Sequence, residues 1–149
     1  MTAPRETWAE PVYLDTSALV KLLVPEGDSD ALNAQLTGLT SVVISDLAIT
    51  EAASALARRV RERRLTTTTA RRLHGEAVRL QGASQAVELT PPIHRRAEHL
   101  LLTLAVPLRA LDALHVASAL ESHAATLVTF DDRLATAATT VGLRVPQFE

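Results

Sequence analysis

The alternation of short apolar segments with longer helical patterns is the feature that most constrains this chain. Four segments rich in Val, Leu and Ala, at residues 12–14, 42–45, 85–89 and 126–130, predict β-strands. Helical patterns cover residues 17–24, 28–36, 47–64, 68–80, 92–104, 111–122 and 132–141, and residues 143–145 can add a short edge strand. We therefore predict an α/β fold of three layers, α/β/α, with a central, mainly parallel sheet of about four to five strands.

Length and composition narrow the class of protein further. The 149 residues fit one domain, and the 47% of apolar residues supply its core. A net charge of −2 gives no general attraction for nucleic acid, so such a partner must be held by a local patch or through a metal. With no cysteine, disulfides and thiolate metal sites are excluded. No segment predicts a signal peptide or a membrane helix of ~18–20 apolar residues, so we expect a cytoplasmic protein without a membrane partner.

Acidic residues fall where two predicted strands end and near the start of two predicted helices. Asp15 follows the first strand, and Asp131 follows the fourth. Glu51 lies one turn into the helix after the second strand, and Asp112 lies at the start of the helix at 111–122. Because ligands of parallel α/β sheets bind at the carboxyl ends of the strands, we expect these acids to meet there.

These carboxylates would repel one another, and Lys21 and Arg109 are the only cations near them in the sequence. A hard divalent cation would offset that repulsion, and ligands that are all oxygen suit Mg²⁺ or Mn²⁺. The group of acids therefore predicts a metal site at the carboxyl edge of the sheet.

Each acid also has a structural interpretation. Asp15 and Asp112 can cap the helices that they begin, and Asp132 is predicted to cap the last helix. For Glu51 the structural interpretation is weakest, because an acid at an apolar helix position is costly unless it is paired. Taken singly, each acid is better explained as structural; their combination at one edge favours a functional site.

Four segments, in their order along the chain, resemble the motifs of the PIN-domain nuclease family. They read YLDTSALVK at 13–21, ITEA at 49–52, LDALHVA at 111–117 and LVTFDDRL at 127–134. The resemblance covers residues 12–145, and the motifs are most similar to those of short VapC-type toxins from toxin–antitoxin systems. It implies a single PIN domain over residues 1–149, in which residues 1–10 form a loose N-terminal extension.

The resemblance implies a metal-dependent endoribonuclease that hydrolyses RNA phosphodiester bonds and leaves a 5′-phosphate and a 3′-hydroxyl. It assigns four acids to the catalytic site: Asp15, Glu51, Asp112 and Asp131. Of these, Asp15, Asp112 and Asp131 would hold Mg²⁺ or Mn²⁺, and Glu51 would orient or deprotonate the attacking water. Ser17 and Thr129 match positions that help to orient the acids. The T-x-D spacing favours Asp131 over the adjacent Asp132 as the fourth acid.

The same resemblance implies three partners: an RNA substrate, a cognate antitoxin protein and a second copy of the chain. The apolar helix pattern at 19–24 either supplies part of an antitoxin groove or simply packs on the sheet. Eight arginines between residues 58 and 79 either track an RNA backbone or, as we favour, form a solvated face paired with Glu62 and Glu76. We interpret His115, one turn after Asp112, as a buried histidine, although that spacing also lets it touch the site.

Several other functions compete with this interpretation. A signalling receiver domain needs an acidic pair after its first strand and a lysine after its last, but here no lysine follows Lys21. A phosphotransferase with D-x-D-x-T is disfavoured because residues 15–19 read DTSAL. A catalytically inactive PIN-like module that binds RNA or protein stays open, as does a housekeeping nuclease; retention of all four acids argues against the inactive module.

Overall fold

The structure, a computed structural model, describes residues 6–148. Its central sheet is built from β1 (Val12–Leu14), β2 (Val42–Ser45), β3 (Gln85–Val87) and β4 (Thr126–Val128), all parallel, in the order β3-β2-β1-β4. This confirms the predicted parallel sheet. The segment at 143–145 adds only an isolated parallel bridge between Arg144 and Thr126 within the described chain.

Helices flank the sheet at positions close to those predicted. Within residues 6–148 they are α1 (Thr16–Leu23), α2 (Ser29–Leu36), α3 (Asp46–Arg61), α4 (Thr67–Gly82), α5 (Pro91–Thr103), α6 (Ala110–Glu121) and α7 (Asp132–Thr140). Their starts follow local chemistry, because Asp15, Ser45 and Thr66 each accept a hydrogen bond from a backbone N–H of the helix that follows. Gly142, with φ of +94°, lies just beyond the end of α7, where a left-handed residue often ends a helix.

The core lies on both faces of the sheet, because successive side chains of a strand point to opposite faces. Along β1, Val12 and Leu14 pack with α1 to α4, whereas Tyr13 packs with α5 to α7, and all three are fully buried. The three-layer arrangement is therefore confirmed. In α1, Leu19 and Leu23 are buried in the first of these cores, which confirms that this helix packs on the sheet.

Residues 6–10 are held against the domain, unlike the loose extension expected for residues 1–10, of which 1–5 lie outside the described residues. The carboxylate of Glu10 accepts hydrogen bonds from the backbone N–H groups of Ser41, at 2.7 Å, and Thr40, at 2.6 Å. Trp8 packs edge-on against Phe148 with ring centroids 5.8 Å apart. None of the helices in the described part of the chain has the length and apolar character needed to span a bilayer.

The strand order places a crevice beside β1. The chain passes from β1 through β2 to β3 on one side, and β4 then pairs with the opposite side of β1. In a parallel sheet, a crevice opens at the carboxyl ends of two neighbouring strands when the chain connections from those strands run to opposite sides. Here these two strands are β1 and β4.

Candidate active site

A cleft of about 350 Å³ opens at this edge of the sheet, and all four predicted acids line it. Its walls come from the ends of β1 and β4 and from helices α1, α3, α6 and α7. The lining residues are Asp15, Thr16, Ser17, Val20, Lys21, Glu26, Glu51, Ala55, Arg59, Asp112, His115, Asp131 and Leu134. The structure thus brings together acids that lie up to 116 positions apart, from Asp15 to Asp131.

Asp15 is the most deeply placed of the acids, with 3% of its surface exposed. Its Oδ1 accepts hydrogen bonds from the Ser17 hydroxyl, at 2.7 Å, and from the backbone N–H of Ala18, at 2.9 Å. The Thr129 hydroxyl donates to Oδ2. Burial raises the pKa of Asp15, and the hydrogen bond from Thr129, the charge of His115 and the hydrogen bonds from Ala18 and Ser17 offset that rise only in part. A bound cation would compensate the charge of ionised Asp15 further.

Ser17 and Thr129, predicted to support the acids, also join the ends of β1 and β4. Ser17 Oγ accepts a hydrogen bond of 2.8 Å from the backbone N–H of Phe130. Thr129 Oγ1 accepts one of 3.0 Å from the backbone N–H of Asp131. Each hydroxyl thus donates to Asp15 and accepts from the β4–α7 connection, which fixes Asp15 relative to Asp131.

Glu51 is held by two residues of other elements. Its Oε1 accepts a hydrogen bond of 2.8 Å from the Thr16 hydroxyl and lies 2.6 Å from Nε2 of His115. Burial acts to raise the pKa of Glu51, but the hydrogen bond and charge of His115, together with Thr16, outweigh it, so this pKa lies below its usual value. The Glu51 side chain keeps 25% of its surface exposed, so it faces the cleft.

His115 continues this contact into the core. Its Nδ1 lies 2.7 Å from the hydroxyl of Tyr13, which donates a hydrogen bond of 3.0 Å to Ser45 Oγ. The prediction that His115 is a buried histidine is confirmed, since 3% of it is exposed, and it touches the site as well. In the sequence, only its position one turn after Asp112 indicated that His115 could reach the site. The contact with Glu51 itself had no local signal, because the two residues lie 64 positions apart.

Asp112 and Asp131 each use one carboxylate oxygen at a helix start. Asp112 Oδ2 accepts a hydrogen bond of 3.2 Å from the backbone N–H of Arg109. Asp131 Oδ1 accepts from the N–H groups of Arg133, at 2.9 Å, and Leu134, at 3.1 Å, at the start of α7. Within residues 6–148, the second oxygen of each of these two acids has no hydrogen-bond partner, so it is available to a ligand in the cleft.

The predicted cap at the last helix was wrong by one residue. Asp131, not Asp132, is the N-cap of α7, because its side chain accepts from the helix N–H groups while Asp132 is the first helical residue. Asp132 lies outside the cleft and borders a separate depression near Phe130 and Phe148. The geometry therefore places Asp131, rather than Asp132, beside the other three acids.

The cleft also contains two cations, Lys21 and Arg59, and both pair with Glu26. Sequence reasoning considered Lys21 but missed the contribution of Arg59 to the site. The signal was its spacing along α3: Glu51, Ala55 and Arg59 are four residues apart and share one face of the helix.

The other arginines of α3, of α4 and of the loop between them include pairs of the kind expected for a solvated face. Arg58 and Arg64 pair with Glu62, and Arg72 pairs with Glu76. Arg109, the second cation considered beside the acids, makes its contact with Asp112 through the backbone rather than through an ion pair within the described residues.

The chemistry of the donors fits a hard cation, although the side chains are not gathered around one. Among residues 6–148, no three acidic or histidine side chains are placed closely enough to hold a metal ion as they stand. Both oxygens of Asp15 and one oxygen each of Asp112 and Asp131 instead accept hydrogen bonds from the chain itself. The donors are nevertheless all oxygen, and buried Asp15 has no ion-pair partner in the described residues, which suits Mg²⁺ or Mn²⁺.

The parallel sheet and the acidic cleft at its edge define a nuclease-like class of protein. Comparison with known proteins identifies the family. The chain belongs to the PIN-domain family, whose profile matches residues 12–139. It is 38% identical over 136 residues to ribonuclease VapC49 of Mycobacterium tuberculosis (strain ATCC 25618 / H37Rv), which covers 90% of this chain and 93% of the relative. Ribonuclease VapC46 of the same strain is 36% identical over 141 residues, or 90% of this chain and 95% of the relative.

Solved structures share the fold at lower identity. VapC20 of Mycobacterium tuberculosis, described as a toxin that cleaves the sarcin-ricin loop, superposes with a TM-score of 0.69 at 18% identity over 85% of this chain and 94% of its own. FitAcB of Neisseria gonorrhoeae gives a TM-score of 0.71 at 19% identity over 91% and 96%. A toxin-antitoxin complex of Klebsiella pneumoniae gives 0.56 at 17% identity over 80% and 86%. These likenesses agree with the PIN-like architecture.

Proposed function

We propose that this protein is a metal-dependent endoribonuclease that hydrolyses RNA phosphodiester bonds and acts as the toxin of a toxin–antitoxin pair. The observation that carries the proposal is the single cleft lined by Asp15, Glu51, Asp112 and Asp131 in a PIN domain. The identity to relatives named ribonuclease VapC supports the same activity.

In this proposal the residues that would hold Mg²⁺, or Mn²⁺, are Asp15, Asp112 and Asp131. Such an ion, when bound, supplies positive charge that offsets the charge of the phosphate and acidifies water in the site. Asp112 and Asp131 each present one oxygen that is not used by the helix start, and Asp15 supplies a buried carboxylate fixed by Ser17 and Thr129.

Glu51 is the proposed proton acceptor for the attacking water. Its carboxylate is ionised at neutral pH, and its partly exposed side chain faces the cleft, so it can accept a hydrogen bond that orients the water before taking the proton; the lowered pKa makes it a weaker base than an unperturbed glutamate. Thr16 and His115 act on the same oxygen, Oε1, which leaves Oε2 without a hydrogen-bond partner among the described residues. That free oxygen is the atom that would accept the proton.

The toxin assignment and the antitoxin partner follow from the relatives and from the charge of the cleft. A cleft with four carboxylates would bind a basic segment of a partner protein. The positive charges of that segment would take the place of the metal ion and inhibit the site. A cytoplasmic location is part of the same proposal, since cellular RNA is the proposed substrate.

A homodimer is the proposed assembly. Helices α5 and α6 expose large apolar side chains at Leu101, Leu102 and Leu111, and Leu102 is 86% exposed. Such side chains favour burial against a second copy. Sedimentation of the wild type and of Leu102→Glu tests this; a wild-type monomer at micromolar concentration would contradict it.

The function is tested by cleavage and by growth. Purified wild-type protein with Mg²⁺ should cut single-stranded RNA into fragments with a 5′-phosphate, and folded Asp15→Asn should not. Induced expression in a bacterial host should arrest growth for the wild type only. RNA cleavage without growth arrest would indicate a housekeeping nuclease, and RNA binding without cleavage would indicate an inactive binding module.

A further inference from the structure

Both cations of the cleft are held by one carboxylate. Glu26 lies in the loop between α1 and α2; its Oε2 lies 3.1 Å from Lys21 Nζ, and its Oε1 lies 3.2 Å from Arg59 Nη2. The Glu26 side chain is 37% exposed, whereas Lys21 and Arg59 are 17% exposed. Glu26 is thus the outermost of the three groups and separates the two cations from solvent.

The geometry of this pairing is that of a two-oxygen anion between two donors. One carboxylate oxygen faces each cation, as the two non-bridging oxygens of a phosphodiester would. Lys21 has two further contacts: its Nζ lies 4.7 Å from the centre of the Phe130 ring and, at the longer distance of 3.9 Å, also faces Asp28 Oδ2.

Arg59 has donors to spare. Its Nη1 makes a long hydrogen bond of 3.4 Å to the carbonyl oxygen of Ala55, and its buried Nε has no partner among the described residues. A guanidinium offers five N–H donors and prefers to bind two oxygens of one anion at once. Arg59 instead contacts Glu26 end-on, through Nη2 alone. An anion with more acceptor oxygens would satisfy it better than Glu26 does.

The loop itself does not depend on the Glu26 carboxylate. The backbone N–H of Glu26 donates to Ser29 Oγ at 2.8 Å, and the Ser29 hydroxyl donates to the carbonyl oxygen of Lys21 at 2.7 Å. The backbone N–H of Ser29 donates to the carbonyl oxygen of Glu26 at 3.0 Å. These contacts would persist if the carboxylate moved away.

We propose that Lys21 and Arg59 form a binding site for a phosphate of the RNA backbone, and that Glu26 occupies this site until RNA displaces it. This inference rests on the proposed ribonuclease function, and it names the residues that hold the substrate beside the acids. In a chain of net charge −2, five of the other eleven cleft residues are acidic, so these two cations are the local patch that attracts RNA. Glu26 lowers that attraction in the free protein.

The test measures binding of a labelled single-stranded oligoribonucleotide to Asp15→Asn protein in Mg²⁺, so that cleavage does not interfere. Adding Glu26→Gln should tighten binding by roughly two- to fivefold, the effect expected from removing a competing exposed ion pair. Glu62→Gln is the matched control, because Glu62 also contacts two arginines, Arg58 and Arg64, but lies outside the cleft. Both variants remove one negative charge.

The salt dependence of binding gives a second measurement. Lys21→Met and Arg59→Met should each weaken binding and lower the slope of log K against log salt concentration by about 0.7, the value for one phosphate contact with single-stranded nucleic acid. Arg58→Met, on the same helix but outside the cleft, should leave the slope unchanged.

Each outcome decides the inference. Binding by Glu26→Gln no tighter than by Glu62→Gln, or an unchanged slope for both Lys21→Met and Arg59→Met, would overturn it. Cleavage assays on the protein without the Asp15 change report separately on the proposed function. Tighter binding by Glu26→Gln with no cleavage by wild type would therefore retain the phosphate site and reject the ribonuclease.

Discussion

His115 Nε2 lies 2.6 Å from Glu51 Oε1, and the two residues belong to helices that pack on opposite faces of the sheet. The pair therefore joins the two helical layers at the carboxyl edge of the sheet. Because Tyr13 holds the other ring nitrogen of His115 at 2.7 Å, the imidazole cannot turn freely, and Glu51 is held with it.

We expect His115→Gln to lower kcat by roughly tenfold to 100-fold with little change in KM, since misplacing a catalytic group by about 1 Å costs this much. Both polar atoms of the glutamine amide lie at the end of the side chain, so the amide cannot contact Glu51 and Tyr13 together as Nε2 and Nδ1 of His115 do. Ser122→Ala is the control, at the C-terminal end of α6, because the Ser122 hydroxyl donates to the carbonyl oxygen of Ala119 and not to the residues that hold His115. Steady-state RNA cleavage measures both variants, and an unchanged kcat for His115→Gln would refute the positioning role.

Asp15→Asn and Asp112→Asn should each abolish RNA cleavage while the protein stays folded. Each change keeps the shape of the side chain and removes the charge proposed to hold the metal. For Asp15 the fold should tolerate the change well, because burial already disfavours the ionised form and raises its pKa. Circular dichroism checks the fold; a metal-free Asp15→Asn protein that melts well below the wild type would contradict this expectation.

Asp131→Asn should impair cleavage far more than Asp132→Asn. Asparagine still caps a helix, so α7 should form in both variants, and the difference should report on the cleft rather than on stability. Cleavage rates at saturating Mg²⁺ provide the comparison. If Asp132→Asn proved the more damaging, the choice of Asp131 as the fourth acid would be wrong.

Mn²⁺ or Mg²⁺ should stabilise the fold, because it would offset the repulsion among the acids. At one hundred times its dissociation constant, a ligand adds about 2.7 kcal/mol, which corresponds to a rise in Tm of about 5 to 11 °C for a domain of this size. Differential scanning fluorimetry with and without metal measures the shift. The shift should be lost in Asp112→Asn, and its absence from the wild type would count against a metal site.

Glu26 should contribute to stability in a way that depends on pH. The hydrogen bond from Lys21, and then that from Arg59, lower the pKa of Glu26 despite the opposing effect of burial. A lowered folded-state pKa stabilises the fold above the unfolded pKa, and the effect disappears as the pH falls through the folded value. In urea unfolding, the free energy of unfolding of the wild type should exceed that of Glu26→Gln by less than about 1 kcal/mol at about pH 7, and the difference should be smaller at about pH 3. The same gap at both values would contradict the ion pairs.

The elements of the fold were predictable because their signals are local. The strand at residues 12–14, for example, is defined by adjacent apolar residues, and Asp15 ends it and caps the next helix. The fourth strand ends at Val128 rather than residue 130, because Thr129 and Phe130 leave the sheet to contact Asp15 and Ser17. The residue pattern of the strand does not predict these contacts, because Asp15 and Ser17 lie more than a hundred positions away in the sequence.

The candidate site was predictable in its acids but not in its connections. Strand ends and family motifs pointed to Asp15 and Asp131, whereas the Glu51–His115 contact and the Glu26–Arg59 pair join residues 64 and 33 positions apart. Such contacts depend on how α3, α6 and the α1–α2 loop pack together, which the spacing of residues within one element does not specify. The T-x-D spacing had already favoured Asp131 as the fourth acid, whereas the identity of the N-cap of α7, Asp131 rather than Asp132, needed the backbone geometry at the start of that helix.

The helix starts at Asp15 and Asp131 have a consequence for how this protein could change over generations. Asparagine caps a helix as well as aspartate does, so the fold does not require the negative charge at either position. A single substitution of aspartate by asparagine at either position would therefore remove the proposed nuclease activity in evolution and still leave a folded chain. That chain would keep the surface proposed here to bind an antitoxin, so an inactive copy would compete with an active one for that partner.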